Sequence, residues 1–234
     1  MATSSQALTT LHELHQRLRE VQGDLERGPR QVQIRTATLQ KRQAELQTAR
    51  DRLKQFKMVA DQKNLQLKTN EAKIADLKTK LNVAGSNREY EIITGQIAAD
   101  TMANSVLEDE ILEALTKVDQ MQAELKGADE MVKVAEKELQ NATADAQARE
   151  PGLKEREKSL LAEVTAAEKF LPPDILPQYR RTVQAFGSEA LAAVENKVCT
   201  SCYVQITSQK LVELRSGKIM FCTCGRLMYL PEEK

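Results

Sequence analysis

An apolar residue returns at every seventh position through the first third of the chain: Leu11, Leu18, Leu25, Val32, Leu39, Leu46, Leu53, Ala60, Leu67, Ile74 and Leu81. A companion line three residues on begins as Leu14 and Val21, weakens to Gly28, Arg35 and Arg42, and recovers at Ala49, Phe56 and Leu77. A period of 3.5 residues kept this long holds one seam of a helix against one partner, which predicts a left-handed supercoil. The pattern repeats in Tyr90, Ile97, Asn104, Ile111, Val118, Leu125, Val132, Leu139, Ala146, Leu153, Leu160 and Ala167. Its companions Leu107, Ala114, Met121, Ala128, Ala135 and Ala142 are mostly small and would let two helices approach closely. Asn104 is a polar intrusion in this seam, either a hydrated weak spot or a register-setting residue.

Between the two patterns lies "NVAGSNREY", Asn82 to Tyr90. Gly85 offers a left-handed conformation to end one helix, and Ser86 or Asn87 can cap the next. Two helices of about 80 residues with so short a link must fold back antiparallel. The expected fold is therefore mainly α: a long kinked antiparallel coiled-coil hairpin over residues 1–170, with its tip near 83–88. The kinks belong near 28–30 ("RGPR") and 150–152 ("EPG"), because an internal proline removes a backbone hydrogen bond and crowds the preceding turn. "FLPPDILP" then ends the coiled coil, and residues 171–193 read as a linker with a short helix near Leu176–Phe186.

Composition supports this reading. Aromatics are 3% and Trp is absent, so a large globular core lacks its usual space-fillers. The formal net charge of zero conceals a polarity. Residues 1–82 carry 16 Lys+Arg against 9 Asp+Glu, a balance of +7, whereas residues 83–170 carry 10 against 19, a balance of −9. Segments of opposite sign are suited to lie against each other. No stretch has the apolar length of a membrane span or the apolar region of a signal peptide, so no membrane partner and a cytoplasmic location are expected.

All four cysteines fall in the last stretch, as Cys199 and Cys202 and then Cys222 and Cys224. Two close pairs in a reducing compartment point to a zinc site, because zinc takes four soft ligands at tetrahedral corners and each pair can clamp it from one side. The metal ligands would be Cys199, Cys202, Cys222 and Cys224; disulfides, redox chemistry and a metal-free ribbon are the alternatives. The second pair has only one intervening residue. On an extended strand, side chains at i and i+2 share a face, so both thiols could still reach one metal, with Gly225 supplying the turn. Residues 194–234 are thus expected to form a small C-terminal zinc-ribbon β module. "KIMFC" and "RLMYL" would be its strands and "SQKLVELRSG" a short helical turn. Phe221 and Tyr229 would be its small core, or else aromatics that stack on nucleic-acid bases.

The chain resembles bacterial coiled-coil proteins that end in a four-cysteine zinc ribbon. The likeness lies in "SNREYEIITGQI", in "YRRTVQAFGSEALAAVENKVCTSC" and in "CGRLMYLP", and with the paired helices it spans essentially the full length. One departure is the single residue between Cys222 and Cys224, where the family pattern has two; the ribbon has four thiolates if Cys222 ligates and three if it does not. The resemblance implies a non-enzymatic protein of the flagellar-biogenesis or sigma-factor-adaptor kind. In that family one member serves an alternative, enhancer-dependent sigma factor and binds flagellin messenger RNA, and a chlamydial-type relative is linked to the same sigma factor and to secretion components.

Two functions follow as expectations. One is an adaptor that binds protein partners, such as an alternative sigma factor or a secretion component, through coiled coil and ribbon, as a monomer or homodimer. The other is an RNA-binding regulator whose ribbon acts with the basic stretch Arg27, Arg30, Arg35, Lys41, Arg42, Arg50, Arg52, Lys54 and Lys57. That stretch would lie beside the acidic second segment, so intramolecular pairing competes with phosphate. Catalysis is not expected, since the two histidines, His12 and His15, sit in a heptad helix and no nucleophile–base motif accompanies them.

Overall fold

The computed structural model describes residues 4–231. Two long helices, α1 (Ser4–Leu81) and α2 (Asn87–Glu168), pack together. A short helix α3 (Leu176–Phe186), a 3-10 turn (Gly187–Ala190) and a small strand module follow. The first heptad line is buried or half-buried throughout, as the supercoil argument requires. The second line departs only at its start, where Tyr90, in the first turn of α2, is exposed.

The turn between the helices forms by a route other than the one expected of Gly85. Gly85 is not among the residues with positive φ; its N–H donates to Glu89 Oε2 at 3.2 Å. Ser86 Oγ accepts from Glu89 N at 3.2 Å, so Ser86 caps the start of α2 and satisfies one of its free N–H groups. α1 continues as helix through Pro29 and α2 through Pro151. Each proline forfeits one hydrogen bond, about 3 kcal/mol in an isolated helix, and packing along many heptads offsets that. Gly28 marks the closeness of this packing, since a Cβ there would meet Ala146 Cβ at 3.2 Å.

By contacts the chain forms two units, Ile34–Gln140 and the remainder, Met1–Gln33 with Asn141–Lys234. Within Ile34–Gln140, ion pairs join Arg35 to Glu138 at 2.7 Å, Arg50 to Asp129 at 4.0 Å, Lys63 to Glu110 at 2.5 Å and Lys73 to Asp100 at 3.0 Å. One number rises as the other falls, which is antiparallel pairing, and every base lies on α1 and every acid on α2. These half-exposed pairs contribute only about 0.2–1 kcal/mol each, so they select register more than they add stability. In the same unit Asn104 is buried, and its Oδ1 has no hydrogen-bond partner among the described residues. An orphaned buried acceptor costs about 1–3 kcal/mol. Asn104→Leu is therefore expected to raise the thermal midpoint, and unfolding of the two chains in urea would measure a gain of about 1–3 kcal/mol. A destabilised variant would instead show that the amide sets the pairing.

The other unit contains the strand module. Its strands are β1 (Leu191–Glu195), β2 (Val198–Cys199), β3 (Met220–Phe221) and β4 (Leu227–Tyr229), in the order β2-β1-β4-β3. β1 runs antiparallel to β2 and parallel to β4. It starts at Leu191, three residues before the ribbon boundary expected from sequence. Strand alternation divides the sheet into two faces. Leu191, Ala193, Leu227 and Tyr229 join a core with Leu8, Leu11, Leu14 and Leu18 of α1, Leu160 and Val164 of α2, and Tyr179 of α3. Ala192, Val194 and Met228 face the other way, toward Cys199, Cys222, Ile206 and the helix α4 (Ser208–Arg215). Tyr229 is accordingly part of the helix-side core, with Phe221 packed against it, and neither forms a private core for the ribbon.

Candidate metal centre

The first cysteine pair is positioned by a tight turn after β2. Cys199 N–H donates to Val204 O at 3.1 Å, and Cys199 O accepts from Tyr203 N at 2.9 Å. Closing that turn places Tyr203 in the left-handed region at φ 58°, a conformation that crowds any Cβ. Tyr203 is also 80% exposed, an aromatic that the sequence reading overlooked. Its place directly after Cys202, where a knuckle needs positive φ, is the signal that could have found it.

The second pair is held by a turn and not by an extended strand, which corrects the expected geometry. Cys222 N–H donates to Arg226 O at 2.8 Å, and Gly225 N–H donates to Cys222 O at 2.9 Å. Thr223, Cys224 and Gly225 thus form a three-residue hairpin loop with Gly225 at φ 87°, the left-handed position where glycine avoids strain. The loop curls Cys224 back toward Cys222, so one intervening residue suffices.

The two turns bring all four sulfurs within 4.8 Å of one another, Cys222 included. Cys202 Sγ and Cys222 Sγ are 3.6 Å apart, far beyond a disulfide bond, and all four cysteines are free. Four thiolates around one ion at a metal–sulfur distance of about 2.3 Å would have sulfur–sulfur edges of about 3.8 Å. The cluster fits that frame. Its acid–base chemistry points the same way. Burial works against ionisation of Cys222, but the Cys224 backbone N–H, the Cys202 and Cys224 thiols and the Thr223 hydroxyl bring it down to about 7. At Cys202 the Val204 backbone favours the thiolate, yet burial and the other three sulfurs push it up to about 12. One sulfur ionises readily and its neighbour resists; a cation at the centre would let all four carry charge.

The nine basic residues of the first segment are not gathered into one surface of free cations. Arg27 pairs with Asp24, Arg35 with Glu138, Arg42 with Glu45 and Arg50 with Asp129. Arg30, Lys41, Arg52, Lys54 and Lys57 make no ion pair among the described residues. Both histidines have structural partners. His12 Nδ1 lies 2.8 Å from Tyr229 Oη, and His15 Nε2 lies 2.5 Å from Tyr179 Oη. No helix among the described residues is long and apolar enough to cross a membrane.

No protein-family model matches the chain, and no curated protein matches its sequence. Solved structures do. CT398 from Chlamydia trachomatis superposes with a TM-score of 0.76 at 16% identity, covering 97% of this chain and 98% of that one. The HP0958 protein from Helicobacter pylori gives a TM-score of 0.66 at 13% identity, with both chains covered completely. At such identities the likeness establishes a shared fold.

Proposed function

We propose that Cys199, Cys202, Cys222 and Cys224 hold a structural zinc ion, and that the chain is a non-enzymatic cytoplasmic adaptor for protein partners in transcription or secretion. The family resemblance in the sequence suggests that class of partner. One observation carries the protein-binding part. On α2, Met102 is 74% exposed and Leu112 64%, and Val106 and Leu115 are exposed as well, although none lies on the heptad seam. Single exposed apolar side chains are ordinary, but four within fourteen residues of a helix this polar are a surface suited to a partner. A closed zinc site with four thiolates has no open position for chemistry, so the ion would fold the ribbon and not catalyse. The histidines, held by tyrosine hydroxyls, fit the same reading.

Affinity capture with the full chain, compared with a Met102→Gln, Leu112→Gln chain, tests this. The wild type is expected to retain a transcription or secretion component that the variant loses. Equal capture by both chains would remove α2 as the binding surface. RNA binding is the second reading, favoured by the five basic residues without ion pairs. It predicts measurable affinity near physiological salt that falls steeply as salt rises.

A further inference from the structure

The chain has only two histidines, and both lie where the first turns of α1 meet the C-terminal elements. His12 meets Tyr229 of β4 edge-on, with ring centroids 5.6 Å apart. His15 is 5% exposed, and its partner Tyr179 on α3 is completely buried. Ser5 Oγ also bonds to Leu230 O just beyond β4, so the start of α1 grips the strand module at several levels. We propose that His12 and His15 form an acid-releasable latch: protonation of the two imidazoles loosens β4 and α3 from the start of α1.

Each ring can accept a hydrogen bond from its tyrosine only while that nitrogen is unprotonated. A phenol O–H can donate to a neutral imidazole nitrogen, but an imidazolium nitrogen can only donate. Once His15 is charged, the proton of the buried Tyr179 hydroxyl loses that acceptor. The surrounding charges give little relief. From α2, Glu168 is the acid nearest His15, but Arg180 of α3 already holds its carboxylate at 2.8 and 3.1 Å. From the 3-10 turn, Glu189 faces His12 but is paired with Arg19 of α1 at 3.3 Å, and Arg19 also donates to Ser188. Glu13 of α1 is the other acid near His12, and Glu195 of β1 acts on Tyr229. Burial therefore prevails and holds both imidazoles below the ordinary histidine range, and the proximity of His12 lowers His15 further. A pKa depressed in the folded state gives stability that is present above the unfolded value near 6.5 and lost as pH falls through the folded value. Acid thus weakens the junction. The latch involves none of the four cysteines.

Hydrogen exchange on the full chain tests it. After correction for intrinsic rates, amide protection in Leu227–Tyr229 and around Tyr179 should fall roughly tenfold or more between pH 7.5 and 5.5. In a His12→Gln, His15→Gln chain the same interval should produce little change. Metal content measured on the same samples separates loss of a bound ion, which would affect both chains alike. Equal loss in the two chains, or none in the wild type, would overturn the latch. If the double variant does not fold, Tyr179→Phe replaces it, with a smaller pH response expected around α3; an undiminished response would count against the latch. The wild-type imidazole resonances give a check free of variants, because titration midpoints at or above the ordinary histidine value would refute it.

Discussion

Cys222→Ser is expected to lower zinc affinity on the order of 100-fold and to loosen the cysteine-side face of the sheet. Structural zinc sites with four ligands supply about 10–16 kcal/mol, so one thiolate accounts for roughly 3 kcal/mol of binding. Cys222 is 6% exposed and 3.6 Å from Cys202 across the two turns, which makes it a central member of the cluster. Loss of the ion would reach Ile206, Leu211, Leu214 and Met228, which share its core, because this face has few other apolar partners. Competition with a chromophoric chelator measures the affinity. Full chelation of the wild type should abolish protection in Cys199–Ile206 and Cys222–Arg226 while the helical signal of α1 and α2 persists. Unchanged affinity in the variant would mean a site of three thiolates without Cys222.

Leu11→Ala is expected to cost about 3–4 kcal/mol, near the upper part of the range for a buried leucine. Leu39→Ala, at the same heptad position, should cost only about 1–2 kcal/mol because Leu39 is half-buried. Leu11 is 1% exposed, in a core with Tyr179, Leu191 and Leu227, each fully buried. It is therefore a core residue of the strand module as well as of the helix pair. Urea unfolding of the two variants measures the difference, and hydrogen exchange should show the Leu11→Ala loss extending into β1 and β4. Equal costs would mean that the strand module draws no stability from α1.

The contrast between Leu11 and Leu39 marks the limit of the sequence. Both stand on one seven-residue line, and periodicity cannot tell a leucine that faces a single helix from one that faces a helix and a sheet. The same holds for "LAAVE" at Leu191–Glu195, whose alanines and leucine carry no strand preference. It becomes a central strand because β2 and β4 flank it and both of its faces are buried.

What the sequence determined by itself was whatever follows from local periodicity and spacing. The heptads specify two long paired helices. The charge polarity puts bases on one and acids on the other, and four cysteines in two close pairs announce a metal-like cluster. What only the tertiary structure decided depends on segments far apart in the chain. Pro29 and Pro151 remain within helices because long-range packing outweighs a local penalty. Cys222 joins the other sulfurs because a hairpin loop closed by Arg226 turns it inward. His12 and His15 acquire tyrosine partners more than 160 residues away. Periodicity reports which face of an element is buried, and only the folded chain reports what that face is buried against.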